Sequence, residues 1–93
     1  MSDDSIRLHV VFSGTVQGVG FRYTARSISR RYHVTGFVRN LPDGRVELVA
    51  EGQRKEVLNF IAGIERQMEE YISSAEKTLS KAQNEYASFI ITF

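Results

Sequence analysis

The sequence predicts an α+β fold in which two helices lie on one face of a mostly antiparallel sheet, in the order β-α-β-β-α-β. Three observations point to it. A first segment alternates apolar and polar residues with a period of two, two later segments carry apolar residues at helical spacing, and a Pro-Asp-Gly turn separates two further alternating runs. The chain has 93 residues, and dividing it would leave each part too small to bury a useful core, so one domain over residues 1–93 is expected.

The elements follow in order. In Ile6-Arg7-Leu8-His9-Val10-Val11-Phe12, the residues Ile6, Leu8, Val10 and Phe12 share a face while Arg7 and His9 take the other, which suggests a sheet covered on one side only. Phe21, Ala25, Ile28 and Tyr32 are spaced four, three and four apart, a helical stripe expected to end near His33. Strand character returns from Val34 and runs to Asn40. Pro42 presets a turn, Gly44 supplies a positive φ, and a strand from Arg45 to Glu51 follows, stopped by Gly52. On that strand Val46, Leu48 and Ala50 are expected inward, with Arg45, Glu47, Val49 and Glu51 outward. A second helix is predicted from Gln53 to Tyr71, with Val57, Phe60, Ile61, Ile64 and Met68 on its buried face. A strand from Ile72 to Ser80 is expected next. The chain finishes with a strand from Ala87 to Phe93 that places Phe89, Ile91 and Phe93 on one face. This order is the split βαβ arrangement known as ferredoxin-like. It hosts enzymes, RNA binders and metabolite sensors alike, so function must come from a site.

Composition narrows the classes. With 42% hydrophobic and 25% charged residues the chain has the make-up of an ordinary globular domain. Twelve Lys and Arg against eleven Asp and Glu leave a formal charge of +1, which argues against binding nucleic acid or an anionic membrane by bulk charge. There is no cysteine, hence no disulfide, thiolate nucleophile, iron–sulfur cluster or cysteine-based zinc site. No apolar run approaches the roughly 20 residues that span a bilayer. The Met1-Ser2-Asp3-Asp4-Ser5 start lacks the pattern of a secretory signal. A cytoplasmic, metal-poor monomer is expected.

The strongest local chemistry lies in Ser13-Gly14-Thr15-Val16-Gln17-Gly18-Val19-Gly20-Phe21-Arg22, which joins a strand to a helix N-terminus. Unpaired N–H groups and the helix dipole favour an anion there, and glycines let successive amides converge. Arg22 starts on a different face from the buried Phe21, where its guanidinium can grip two oxygens of a phosphate or carboxylate. On the loop alone, an anion site and a plain glycine-rich connection beside a surface arginine are equally open. Asn40, just before the turn, reads most simply as a turn former.

Taken together, the two segments are more specific. Phe12-x-Gly14-x-Val16-Gln17-Gly18-Val19-x-Phe21-Arg22 resembles the first signature of the acylphosphatase family, and Gly36-Phe37-Val38-Arg39-Asn40-x-x-x-Gly44-x-Val46, with Gly52 beyond it, resembles the second. The resemblance is good over residues 6 to 70. It departs afterwards: where members commonly carry a Gly-Pro pair, this chain has Gln67-Met68-Glu69-Glu70-Tyr71, which leaves the register of the last two strands open. The resemblance implies hydrolysis of a carboxyl-phosphate anhydride in a small-molecule acyl phosphate, without metal or cofactor. It implies that Arg22 and the loop amides of Gln17, Gly18, Val19, Gly20 and Phe21 hold the phosphoryl oxygens, and that the Asn40 side chain orients the attacking water. The carboxylate leaving group has a pKa of about 4 and needs no general acid, which suits a site lacking His, Cys or paired carboxylates.

Other features have plainer readings. Arg22, Arg26 and Arg30 form a basic line whose simplest meaning is a solvated helix face; the sharper alternative is a second anion contact from Arg26. His9 and His33 lack metal-ligand spacing, and Ser13, Thr15, Glu69 and Glu70 need no catalytic role. An RNA-binding module of the same fold would show aromatics on its central strands, where this chain offers His9, Val11, Glu47, Val49 and Glu51. A non-catalytic acylphosphatase-like or ligand-binding module is the remaining alternative. The single-domain length and the presence of both Arg22 and Asn40 count against it.

Overall fold

A computed structural model describes residues 4–93, leaving Met1 to Asp3 of the expected 1–93 domain outside the described residues. Its elements are β1 (Ser5–Gly14), α1 (Phe21–Ser29), β2 (Thr35–Asn40), β3 (Val46–Gln53), α2 (Arg54–Gln67), β4 (Ile72–Lys81) and β5 (Phe89–Ile91). They build one five-stranded sheet in the order β4-β1-β3-β2-β5, antiparallel except for the β2–β5 pair. The predicted β-α-β-β-α-β core is therefore present, with β5 added beside β2.

The inward set is the one the alternation predicts. Ile6, Leu8, Val10 and Phe12 of β1 and Val46, Leu48 and Ala50 of β3 are buried, and they meet Phe21, Ala25 and Ile28 of α1. From α2, Val57, Phe60, Ile61 and Ile64 close the core, with Met68 just past the helix end. Two aromatic pairs fix the helices on the sheet: Phe12 lies 4.9 Å from Phe21, and Phe60 meets Phe89 edge-on at 5.1 Å. The β2–β3 turn closes as expected, with Gly44 at φ 94° and the Leu41 N–H donating to the Arg45 carbonyl at 2.8 Å. No helix among the described residues is long and apolar enough to cross a membrane.

Several expectations are corrected. Helix α1 stops at Ser29, four residues short of His33, and tightens into a turn in which Arg30, Arg31 and Tyr32 donate three residues back. The early stop frees Val34 to enter the core and Thr35 to begin β2. Helix α2 ends at Gln67 rather than Tyr71: the Tyr71 N–H donates three residues back to the Met68 carbonyl at 2.9 Å, a tight turn that leads into β4, and the Tyr71 carbonyl accepts the Thr15 N–H at 2.9 Å. Gly52 does not stop β3; it pairs with Ile6, and the strand runs on through Gln53. The last strand is three residues long instead of seven, and of its expected inward trio only Phe89 is buried.

The outer face of the sheet is also not bare. Strands β4 and β5 lie at opposite edges, so the segment between Lys81 and Phe89 must traverse the sheet, and it does so over the side that the alternation predicts to be solvated. Val49 and Glu51, both expected outward on an open face, are buried. Glu51 is only 2% exposed, and it accepts the N–H groups of Gln83 and Asn84 at 2.8 Å each and the Arg7 guanidinium at 3.1 Å. Tyr86 continues the strap, with its ring 5.7 Å from Phe37 and 6.0 Å from the Arg7 guanidinium. Burial alone would push the Glu51 carboxyl up, but the two amides and Arg7 outweigh it and hold the group below the ordinary glutamate value.

Replacing Glu51 by Gln should destabilise the fold by about 1–3 kcal/mol at neutral pH, measured by urea unfolding. Because the folded carboxyl titrates below its unfolded value of about 4.3, its contribution is complete above that pH and is lost as pH falls through the folded value. The difference between wild type and Glu51→Gln should therefore shrink toward acid pH.

Candidate active site

The cradle grows out of the loop between β1 and α1. Val16 is buried and pins the loop to the core, while Phe21 pins the start of the helix against Phe12. Between these two anchors Gly18 (φ 79°) and Gly20 (φ 75°) take left-handed conformations, with nothing within 4 Å of where a Cβ would stand. Gly20 is the N-cap of α1 and brings no side chain to cap it. Among the described residues, Thr24 is the first amide of the helix to find an acceptor, the Gly20 carbonyl at 3.0 Å, so the amides ahead of it are open to an outside acceptor.

A cavity of about 220 Å³ opens at this point, lined by Val16, Gly18, Gly20, Phe21, Arg22, Tyr23 and Asn40. Arg22 comes from the first turn of α1 and forms no ion pair with a carboxylate among the described residues. Its guanidinium lies 5.3 Å from the Phe93 ring centre. Asn40 arrives from the end of β2, paired with Val46 of β3. Strand β3 separates β1 from β2, yet the end of β2 still reaches the loop. The structure thus brings Arg22 and Asn40 together with Gly18, Gly20 and Phe21.

Two of the predicted loop residues stand differently. Val19 packs against the core and does not line the cavity. Gln17 does not line it either: its side-chain amide donates to the carbonyls of Leu41 and Arg45, at 2.8 and 2.9 Å. Gln17 is therefore a bracket between the loop and the turn that follows Asn40. Sequence reading treats it only as an amide donor, because nothing local shows that β2 will end within its reach.

The remaining candidates sit elsewhere. Arg26 leans over the Tyr23 ring at 5.6 Å and borders a separate, shallow cavity with Arg30 and His33. His9 pairs with Glu47 at 2.8 Å, and Arg39 holds the other oxygen of the same carboxylate at 2.6 Å. Burial would raise the Glu47 carboxyl, and these two partners bring it below its usual value. The His33 backbone N–H donates to Glu56 at 2.8 Å.

A two-layer sandwich that gathers a glycine-turned loop, an arginine with no carboxylate partner among the described residues and a strand-end asparagine around one cavity is an α+β domain with the layout of an anion site. Comparison with known proteins narrows this class. The family model for acylphosphatase matches residues 8–91, and the chain belongs to the acylphosphatase family. An acylphosphatase of Roseiflexus sp. (strain RS-1) is 52% identical over 59 residues, a stretch covering 63% of each chain and so under two thirds of that relative's length. Among solved structures, acylphosphatase from Bacillus subtilis superposes with a TM-score of 0.86 at 27% identity, covering 95% of this chain and 99% of that one. An acylphosphatase from Coxiella burnetii gives a TM-score of 0.81 at 30% identity, covering 96% and 94%. These neighbours share the fold through the β4 and β5 region, where the sequence resemblance departs.

Truncating Gln17 to Ala removes both fasteners between loop and turn. It should lower stability by about 1–2 kcal/mol in urea unfolding and speed hydrogen exchange at Gly18 and Gly20.

Proposed function

We propose that the chain hydrolyses acyl phosphates to a carboxylate and inorganic phosphate. The observation that carries this reading is the single small cavity shared by Gly18, Gly20, Phe21, Arg22 and Asn40. In this mechanism the free amides at the start of α1 and the Arg22 guanidinium hold the phosphoryl oxygens. A water oriented by the Asn40 carboxamide attacks phosphorus. The bond from phosphorus to the acyl oxygen breaks, and its electron pair departs on the carboxylate. The water's proton passes to the phosphate product or to solvent. With a leaving group of pKa about 4 no acid is needed to assist departure, so the work is positioning and charge stabilisation.

The electrostatics favour that role. Arg22 keeps its charge available, because the carboxylates around the sheet are committed elsewhere: Glu51 to Arg7, Glu47 to His9 and Arg39, and Asp43 to Arg45. The amides need no reorganisation to meet an anion, since glycine conformation and the Gln17 bracket already set them.

Two variants separate the assigned roles. Arg22→Ala should lower kcat/KM for benzoyl phosphate by about 10²-fold or more and weaken competitive inhibition by phosphate. Asn40→Ala should lower kcat by about 10²-fold while phosphate inhibits as before. Equal loss of phosphate binding and turnover in Asn40→Ala would contradict its role as the water-orienting group.

A further inference from the structure

The described residues expose five large hydrophobic side chains, and two of them stand around Arg22. Tyr23 lines the cavity from the first turn of α1 and is 59% exposed. Phe93 reaches the same place from the opposite layer: the Thr92 N–H donates to the Val38 carbonyl at 3.0 Å, which carries the β5 alignment one step further and brings Phe93 alongside the end of β2. Phe93 is 93% exposed, the most exposed apolar side chain in this set.

Each ring has a guanidinium near its centre and is otherwise largely exposed. Arg22 lies 5.3 Å from the centre of Phe93, and Arg26 lies 5.6 Å from the centre of Tyr23. Burial in the core does not account for either ring, because neither is buried. The cavity of about 220 Å³ has Tyr23 in its lining and Phe93 beside its Arg22, so a group bonded to a phosphoryl held by Arg22 extends along these two rings.

We infer that Tyr23 and Phe93 form an aromatic rim that binds the acyl part of the substrate, selecting flat apolar or aromatic acyl groups over small aliphatic ones. The inference rests on the acyl phosphate reading above and adds a selectivity to it. Aromatic acyl groups can stack on an exposed ring that already has a guanidinium beside it, and they bury more area there than a methyl group does. The Phe93 ring is also polarised by the guanidinium that faces the phosphoryl group, so the acyl and phosphoryl subsites share Arg22 between them.

The test uses two non-hydrolysable probes in which a methylene replaces the anhydride oxygen, phenacylphosphonate and acetonylphosphonate, together with inorganic phosphate. Dissociation constants are measured by calorimetry for wild type, Tyr23→Ala, Phe93→Ala and the double variant. Wild type should prefer the phenacyl probe by about tenfold, each single variant should reduce that preference by about three- to fivefold, and the double variant should abolish it. The ratio of kcat/KM for benzoyl over acetyl phosphate should fall in parallel. A wild type with no preference, or a double variant that keeps it, overturns the inference. Equal weakening of both probes and of phosphate overturns it too, because the rings would then only steady Arg22. If wild type binds the probes with the expected preference but hydrolyses neither acyl phosphate, the rim stands and the hydrolytic reading fails.

Discussion

Two hydrogen bonds from one carboxamide set the geometry on which the site depends. The glycine loop follows β1 and Asn40 ends β2, and the sheet places β3 between those strands. Ladder bonds alone therefore do not join the two halves of the cradle. Gln17 does so by donating both amide hydrogens to the Leu41 and Arg45 carbonyls, on the turn directly after Asn40. On either side of it Val16 and Phe21 are buried, so a stretch of backbone with unsatisfied amides is clamped at three points. Under the proposed reading a phosphate-sized anion would meet donors that are already in place, which is the condition under which hydrogen bonds stabilise a transition state most effectively.

The far side of the sheet contributes through connectivity. With β4 and β5 on opposite edges, the chain must pass over β1, β3 and β2 before it can return to the core. An acid buried on that face is the device that holds the crossing. Glu51 receives two backbone N–H groups of the strap and the Arg7 guanidinium, so a carboxylate that would be costly alone is satisfied. The strap then delivers Phe89 to the core against Phe60 and leads on to Phe93 beside Arg22. A contact on one face of the sheet thereby helps to place Phe93 beside Arg22.

Much of this was legible before the structure. Alternation in Ile6 to Phe12 and in Val46 to Ala50, and helical spacing in Val57 to Met68, reported the core because one-sided burial imposes those periods directly. The loop and Asn40 could be singled out because glycines at a strand–helix junction and an asparagine before a turn are locally encoded. The strap was not legible. Glu51 looks outward by alternation, and only the long-range order of β4 and β5 puts chain over it. The bracketing role of the Gln17 side chain is not legible for the same reason, since its partners lie 24 and 28 residues away. Helix ends differ from the periodicity where the chain must turn into the next strand, as at Tyr71, whose N–H bonds three residues back to Met68 before β4 begins.

The cradle itself can be observed one nucleus at a time. Titrating ¹⁵N-labelled protein with inorganic phosphate should produce saturable shifts at the backbone amides of Gly18, Gly20 and Phe21 and at the Arg22 guanidinium, converging on one dissociation constant. Shifts scattered over the surface arginines, with those four groups unmoved, would contradict the account.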